Sequence, residues 1–278
     1  MKSEECKAIG PMESGNRRES AMWEKELAVA GVAARAAGEI LNGMFGHVGH
    51  ITKKGDIDLV TEADLQAERT ILEIIRNNFP QDDILSEEAG RDGNASDRIW
   101  VVDPLDGTTN FAHGFPFFAI SIALEIEGEI VVGVVHDPYM DESFAASKGA
   151  GAYLNKGPIR VSKTQDLGDS LLATGFPYDI RERPHGAMEL FQRMVVRTQG
   201  VRRPGSATLD LCYVAAGRLD GFWEEGLKPW DTAAGTVIVR EAGGILTTLE
   251  GRPYSPYLKS IVAANPYIHE EMIRALKG

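Results

Sequence analysis

The stretch "RIWVVDPLDGTTNF", Arg98 to Phe111, sets an apolar, β-like run against two aspartates three residues apart, a proline and a glycine. Asp103 closes the apolar run, Pro104 cannot donate to a strand ladder, and Gly107 lets the backbone turn sharply. Asp103 and Asp106 are thereby expected to converge on one point, with the Leu105 carbonyl beside them. Carboxylates and a carbonyl are the hard oxygens that Mg²⁺ or Ca²⁺ takes. Thr108 and Thr109 follow, and amides and hydroxyls at a turn or helix start suit an anion. The same D-x-x-D-G pattern also describes a capped Asx turn with no ligand at all, so other acids have to decide between the two readings.

Outward from this stretch the chain alternates between two periods. "AMWEKELAVAGVAARAAGEILNGMFG" has helical spacing and predicts a helix from about Trp23 to Phe45. A second is predicted from Glu62 to Phe79, capped by Thr61 and stopped before Pro80, with "HITKKGDIDLV" between them as a mostly extended connector. The runs "RIWVVD", "FFAISIALEI", "EIVVGVVHDP", "ESFAASKG" and "GAYLN" are separated by turn residues at hairpin-like distances, the signature of a largely antiparallel sheet. The second half alternates: a helix near Gly186 to Thr198, one capped by Ser206 and running to Ala216, a strand "GFWEE", a helix from Thr232 to Ala242, strands "GILTTL" and "SIVAAN", and a closing helix. The pattern predicts an α/β fold of layered helices and sheets, without repeats or a dividing linker.

Composition narrows the function. The chain has 278 residues, 43% of them hydrophobic, and a formal net charge of -12. That is enough for a substantial core, and the acidity argues against gripping nucleic-acid backbones. Two cysteines, Cys6 and Cys212, imply no disulfide framework and suit a reducing cytoplasm. No apolar run reaches the length of a membrane span, and residues 1–21 read as a polar tail ahead of a unit over 22–278.

Three further segments carry acids. "ILSEEAG" places Glu87 and Glu88 directly after an apolar pair, "LKPWDTAAG" places Asp231 between an aromatic residue and small ones, and "GDIDLVTEAD" places Asp64 near a helix start. Each has an ordinary explanation: a solvated loop, an N-cap, a carboxylate favouring a helix dipole. No cysteine nucleophile is followed by an arginine, and the histidines lack zinc-ligand spacing, with His113, His136 and His185 read as surface or supporting residues.

Taken together, "WVVDPLDGTTNFAHGFPF", "WDTAAGTVIVREAGG" and "GSATLDLCYVAAGRLDGFWE" resemble the signatures of the inositol monophosphatase family, most of all its bacterial branch. The resemblance runs from about Trp23 to the C-terminus. It implies the layered αβαβα sandwich shared with fructose-1,6-bisphosphatases, and a lithium-sensitive, magnesium-dependent phosphatase. By that resemblance Glu87, Asp103 and the Leu105 carbonyl would hold a first Mg²⁺, and Asp103, Asp106 and Asp231 a second, with Glu88 near an optional third. Gly107, Thr108 and Thr109 would bind phosphate, while Asp64 and Thr108 would orient or deprotonate the attacking water beside Glu87. Asp106, Ser206, Glu224, Asp231 and Arg202 would border the substrate, and Lys53 would belong to a loop over the metals.

The substrate rim, with Trp223, Lys228 and Pro229, is left open. "DGTTNF" leans toward inositol monophosphate, because the related phosphatases of 3′-phosphoadenosine 5′-phosphate usually carry a lysine after the first threonine. Fructose bisphosphate, glycerol 2-phosphate and nucleotides stay as alternatives. The family further implies a homodimer. Some bacterial members look like partners of the transcription machinery, for which the Arg202–Arg203 pair would offer a docking point.

Overall fold

Ala30, Ala33, Ala34, Ala37 and Leu41 recur at helical spacing and are fully buried along α1 (Glu24–Met44), a face of small residues that brings the helix axis close to whatever it covers. The chain is seen here as a computed structural model that describes residues 22–46, 51–53, 59–93, 95–177, 180–182 and 184–278. The proposed 1–21 tail, residues 54–58 and the side chains of Lys53, Thr61 and His185 lie outside the described residues. After α1 a short hairpin, β1 (Ile51–Lys53) and β2 (Leu59–Thr61), leads into α2 (Glu62–Asn78), which buries Ala63, Ala67, Ile71 and Ile75 against α1 and the sheet.

The sheet follows. It contains β3 (Asp83–Ser86), β4 (Gly90–Asp92) and β5 (Arg98–Asp106), then, after the one-turn helix α3 (Thr108–Ala112), β6 (Ala119–Ile126), β7 (Glu129–Asp137), β8 (Glu142–Ser147), β9 (Ala152–Leu154) and β10 (Gly157–Pro158). The spatial order is β10-β9-β8-β7-β6-β5-β3-β4, antiparallel except for the β3–β5 pair. The parallel pair matters most for the site. Ser86 aligns with Val102, so the turn carrying Glu87 leaves the sheet beside Asp103 at the same edge.

A second, five-stranded sheet is assembled from β11 (Leu171–Thr174), β12 (Gly200–Arg202), β13 (Gly221–Glu225), β14 (Ile245–Thr247) and β15 (Ser260–Ala264), in the order β12-β11-β13-β15-β14. Its helices are α4 (Pro184–Val195), α5 (Ala207–Ala215), α6 (Pro229–Glu241) and α7 (His269–Lys277). α1 and α2 cover one face of the large sheet around Trp100, Phe111 and Phe118. α5 and α6 fill the space between the two sheets, and α4 and α7 cover the far face of the small one. Five layers, αβαβα, result. Among the described residues no helix is long and apolar enough to cross a membrane.

Three element boundaries shift. β5 runs on through Pro104 to Asp106, because the register with β6 slips between Asp103 and Asp106 and the proline sits in that irregularity, where no ladder donor is required. α6 starts at Pro229 rather than Thr232, since a proline at the first helical position has no amide to leave unsatisfied. α4 occupies Pro184–Val195, two residues ahead of its expected start and three short of its expected end. His136, read as a surface or supporting residue, is buried under α1, with Nδ1 2.9 Å from Ser143 Oγ, and burial lowers its pKa.

Candidate active site

The end of β5 is both the Asx turn and the cluster of acids between which the sequence left a choice. Leu105 N donates to Asp103 Oδ1 at 3.0 Å, closing the turn with one carboxylate oxygen. Asp106 accepts from Ser206 Oγ at 2.6 Å and from Thr208 N at 2.8 Å, which ties the end of β5 to the N-terminus of α5. Ser206 also accepts from Leu209 N at 3.3 Å as the N-cap of that helix. Asp231 occupies the third position of α6, not its cap. There Asp231 N donates to Lys228 O at 3.2 Å and its Oδ2 accepts from Lys228 N at 2.7 Å.

These local bonds leave ligand oxygens of Asp103, Asp106 and Asp231 within 4.8 Å of one another. Glu87 stands at the rim of this trio. Its amide donates to Val102 O at 3.2 Å, and its charge helps to raise the pKa of Asp103 and Asp231. All three aspartates are pushed above the ordinary carboxylate range, first by burial; the charges of Glu87, Asp106 and Asp231 add to this at Asp103 and those of Asp106 and Glu87 at Asp231, while hydrogen bonds from Ser206 and Thr208 partly offset it at Asp106. Hard oxygens, mutual repulsion and a buried setting fit a divalent cation such as Mg²⁺.

Around the trio the expected residues are distributed unevenly. Gly107, at φ 95° with a hypothetical Cβ 2.9 Å from Phe117 O, accepts no side chain, and it delivers Thr108 to the cluster. Thr108 Oγ1 lies 3.0 Å from Leu105 O and 3.2 Å from the buried Asp64 Oδ1, so its one proton has two competing acceptors. A cleft of about 230 Å³ opens over this turn, floored by Asp106, Gly107, Thr108 and Thr109 and walled by Ser206 and Glu224. The buried Glu224 fits because Gly175 opposite has no side chain; a Cβ there would collide with its carboxylate. Glu88 shares the turn of Glu87, half-buried.

Arg202 is not in this cleft. It ends β12, exposed, while the next residue, Arg203, lines the cleft and stacks over Phe176 at 5.9 Å. Adjacent residues of an extended chain face opposite ways, so of a two-arginine run only one can enter.

Two further residues escaped the sequence reading. Glu68 is buried one helical turn beyond Asp64, and its Oε1 accepts from Ser86 Oγ, Glu88 N at 3.1 Å and Ala89 N at 3.0 Å, which fixes the turn that carries Glu87 and Glu88. The i, i+4 spacing from Asp64 on a face otherwise apolar was its visible signal. Asp210, in the first turn of α5, lines the cleft and is buried, with no local motif to mark it.

Comparison with known proteins agrees with this geometry. A model of the inositol monophosphatase family matches residues 22–278. The chain is 48% identical over 252 residues to an inositol-1-monophosphatase of Synechocystis, covering 90% of this chain and 88% of that one. It is 43% identical over 254 residues to Nus factor SuhB of Escherichia coli K12, covering 90% and 95%. Among solved structures it resembles an inositol monophosphatase from Anabaena at TM-score 0.84, with 45% identity over 91% of this chain and 96% of that one. The extragenic suppressor protein suhB from Bartonella henselae superposes at 0.88, with 43% identity over 91% and 99%. Matched from residue 22 to its last residue, with the aspartates of both of its signatures gathered at one point, the chain belongs to the inositol monophosphatase family.

Proposed function

We propose that the chain hydrolyses a phosphate monoester, inositol 1-phosphate ahead of other esters, with Mg²⁺ at the aspartate trio and residues 22–278 acting as one phosphatase unit. The observation that carries this reading is the meeting of Asp103, Asp106 and Asp231 beside the Gly107–Thr108 turn, with Asp106 and Asp231 lining a cleft. Glu87, Asp103 and the Leu105 carbonyl would hold one Mg²⁺, Asp103, Asp106 and Asp231 a second, and Glu88 would serve an optional third. When bound, Mg²⁺ offsets the charge of the phosphate dianion and acidifies water. The amides of Gly107 and Thr108 and the Thr109 hydroxyl bind phosphoryl oxygens. Thr108 donates its proton to Asp64, which turns its lone pairs outward to accept from the attacking water and hold it in line. Ser206 keeps Asp106 in place, and Glu224 accepts from the alcohol portion.

The test is release of inorganic phosphate from inositol 1-phosphate with and without Mg²⁺, alongside fructose 1,6-bisphosphate, glycerol 2-phosphate and 3′-phosphoadenosine 5′-phosphate. Preference for inositol 1-phosphate supports the reading; a better rate on fructose 1,6-bisphosphate would transfer the assignment to that ester, and no Mg²⁺-dependent release would refute it. A second reading comes from the 43% identity to a relative named Nus factor SuhB: a cytoplasmic homodimer that docks on the transcription machinery, with the exposed Arg202 as one contact. Capture of elongation factors by an Asp103→Asn protein that lacks activity would separate docking from catalysis.

A further inference from the structure

Among the described residues, two buried side-chain oxygens have no hydrogen-bond partner, Asp137 Oδ2 and Asp210 Oδ1. Buried acceptors are almost always satisfied, so each calls for an explanation. Asp137 ends β7, and its other oxygen closes a turn by accepting from Tyr139 N and Met140 N, both at 3.0 Å. That is a structural carboxylate with one spare lone-pair site. Asp210 differs in where it stands: it is 1% exposed and it lines the cleft.

We propose that Asp210 is a specificity-determining residue, whose carboxyl hydrogen-bonds a hydroxyl of the alcohol portion of the substrate, so that polyol phosphates are taken ahead of esters without hydroxyls. This rests on the phosphatase reading above. Asp210 shares its cleft with the carboxyl of Glu224, the guanidinium of Arg203 and the Gly107–Thr108 floor. An ester whose phosphate rests on that floor carries its alcohol portion up past Asp210. The chemistry of the wall then selects among alcohols. A second phosphate would meet two acids and one cation. A purely apolar group would leave the Asp210 oxygen unpaired. A hydroxyl both donates and accepts, so it satisfies the carboxyl whether ionised or protonated. A site built around such a bond discriminates strongly against the analogue that lacks the hydroxyl, because the protein group is then stranded.

The matched probes are glycerol 2-phosphate and isopropyl phosphate, the same branched skeleton with and without two hydroxyls. For the full chain with Mg²⁺, the quantity read is the ratio of kcat/KM for the first ester over the second. Asp210→Leu should lower that ratio at least about tenfold, whatever effect the two esters share, and Asp210→Asn, which can still bond a hydroxyl, should restore most of it. Thermal melting supplies an independent readout: removal of a buried carboxyl with one unpartnered oxygen should leave Asp210→Leu melting at or above the unsubstituted protein, whereas a structural carboxyl would be missed. If the leucine variant fails to fold, Asp210→Ala takes its place. An unchanged ratio in a folded variant, or a ratio that asparagine does not restore, overturns the proposal. Hydrolysis of both esters but not of inositol 1-phosphate overturns only the choice of inositol above; turnover of inositol 1-phosphate without any of glycerol 2-phosphate overturns this proposal alone, and release from none of the three overturns the phosphatase reading and this one with it.

Discussion

Ser206 Oγ donates to Asp106 Oδ2 at 2.6 Å, across 100 residues of sequence, and the same hydroxyl caps α5 by accepting from Leu209 N. One side chain thus anchors a helix to the acid cluster. Ser206→Ala removes both bonds and should cost about 1–2 kcal/mol of stability in urea denaturation. It should also raise the Mg²⁺ concentration for half-maximal activity, since Asp106 loses its strongest neutral partner. Unchanged Mg²⁺ dependence would show that Thr208 N alone holds Asp106.

Asp103→Asn keeps the acceptor for Leu105 N but deletes one charge from the centre of the trio. Activity at saturating Mg²⁺ should fall at least about a hundredfold, the scale of lost charge stabilisation. Near-normal turnover in a folded variant would remove Asp103 from the mechanism.

The same substitution predicts a pH signature in the metal-free protein. Burial and the charges of Glu87, Asp106 and Asp231 raise the Asp103 pKa well above its ordinary 3.8. The native state therefore holds the proton more tightly than the unfolded chain does. No cost is incurred below the unfolded pKa; the destabilisation grows as pH rises from about 3.8 and is complete above the native value. In EDTA, Asp103→Asn should accordingly gain stability over the unsubstituted protein with rising pH, and saturating Mg²⁺ should reverse the order. Parallel stability curves across that pH range would count against a repulsive, metal-dependent cluster.

Glu68 is not itself an expected ligand, yet its Oε1 accepts from Ser86 Oγ and from the amides of Glu88 and Ala89. Glu68→Leu should lower Mg²⁺ affinity, read by calorimetric titration without substrate, and destabilise the fold by about 1–3 kcal/mol through three unpaired donors. Glu68→Gln keeps an acceptor oxygen and should recover most of both.

Thr108→Ala deletes a hydroxyl 3.2 Å from Asp64 and leaves every carboxylate in place. The rate should drop at least about tenfold with little change in Mg²⁺ affinity, the split expected of a water-positioning group. A joint collapse of rate and affinity would make Thr108 a metal ligand first.

Much of the site was legible because its chemistry is local. "DPLDGTTNF" carries within a few residues the proline, the acids and the left-handed glycine that its turn requires, so the turn follows from conformational limits that hold in any fold. The helices α1 and α2 were legible for the same kind of reason, since alanine and isoleucine at helical spacing must bury one face. The resemblance of the two signatures then joined segments far apart in the chain. Beyond Ser206 and Glu224, which the resemblance supplied, the walls of the cleft were not legible. Arg202 and Arg203 are equivalent as letters, and only the register of β12 decides which one faces inward. Asp210 and Glu68 are ordinary helix acids until packing takes water from one and gives the other three donors. Hydrogen bonding and desolvation act over a few ångströms between residues distant in sequence, so they are decided by how the layers pack and cannot be read from local propensity.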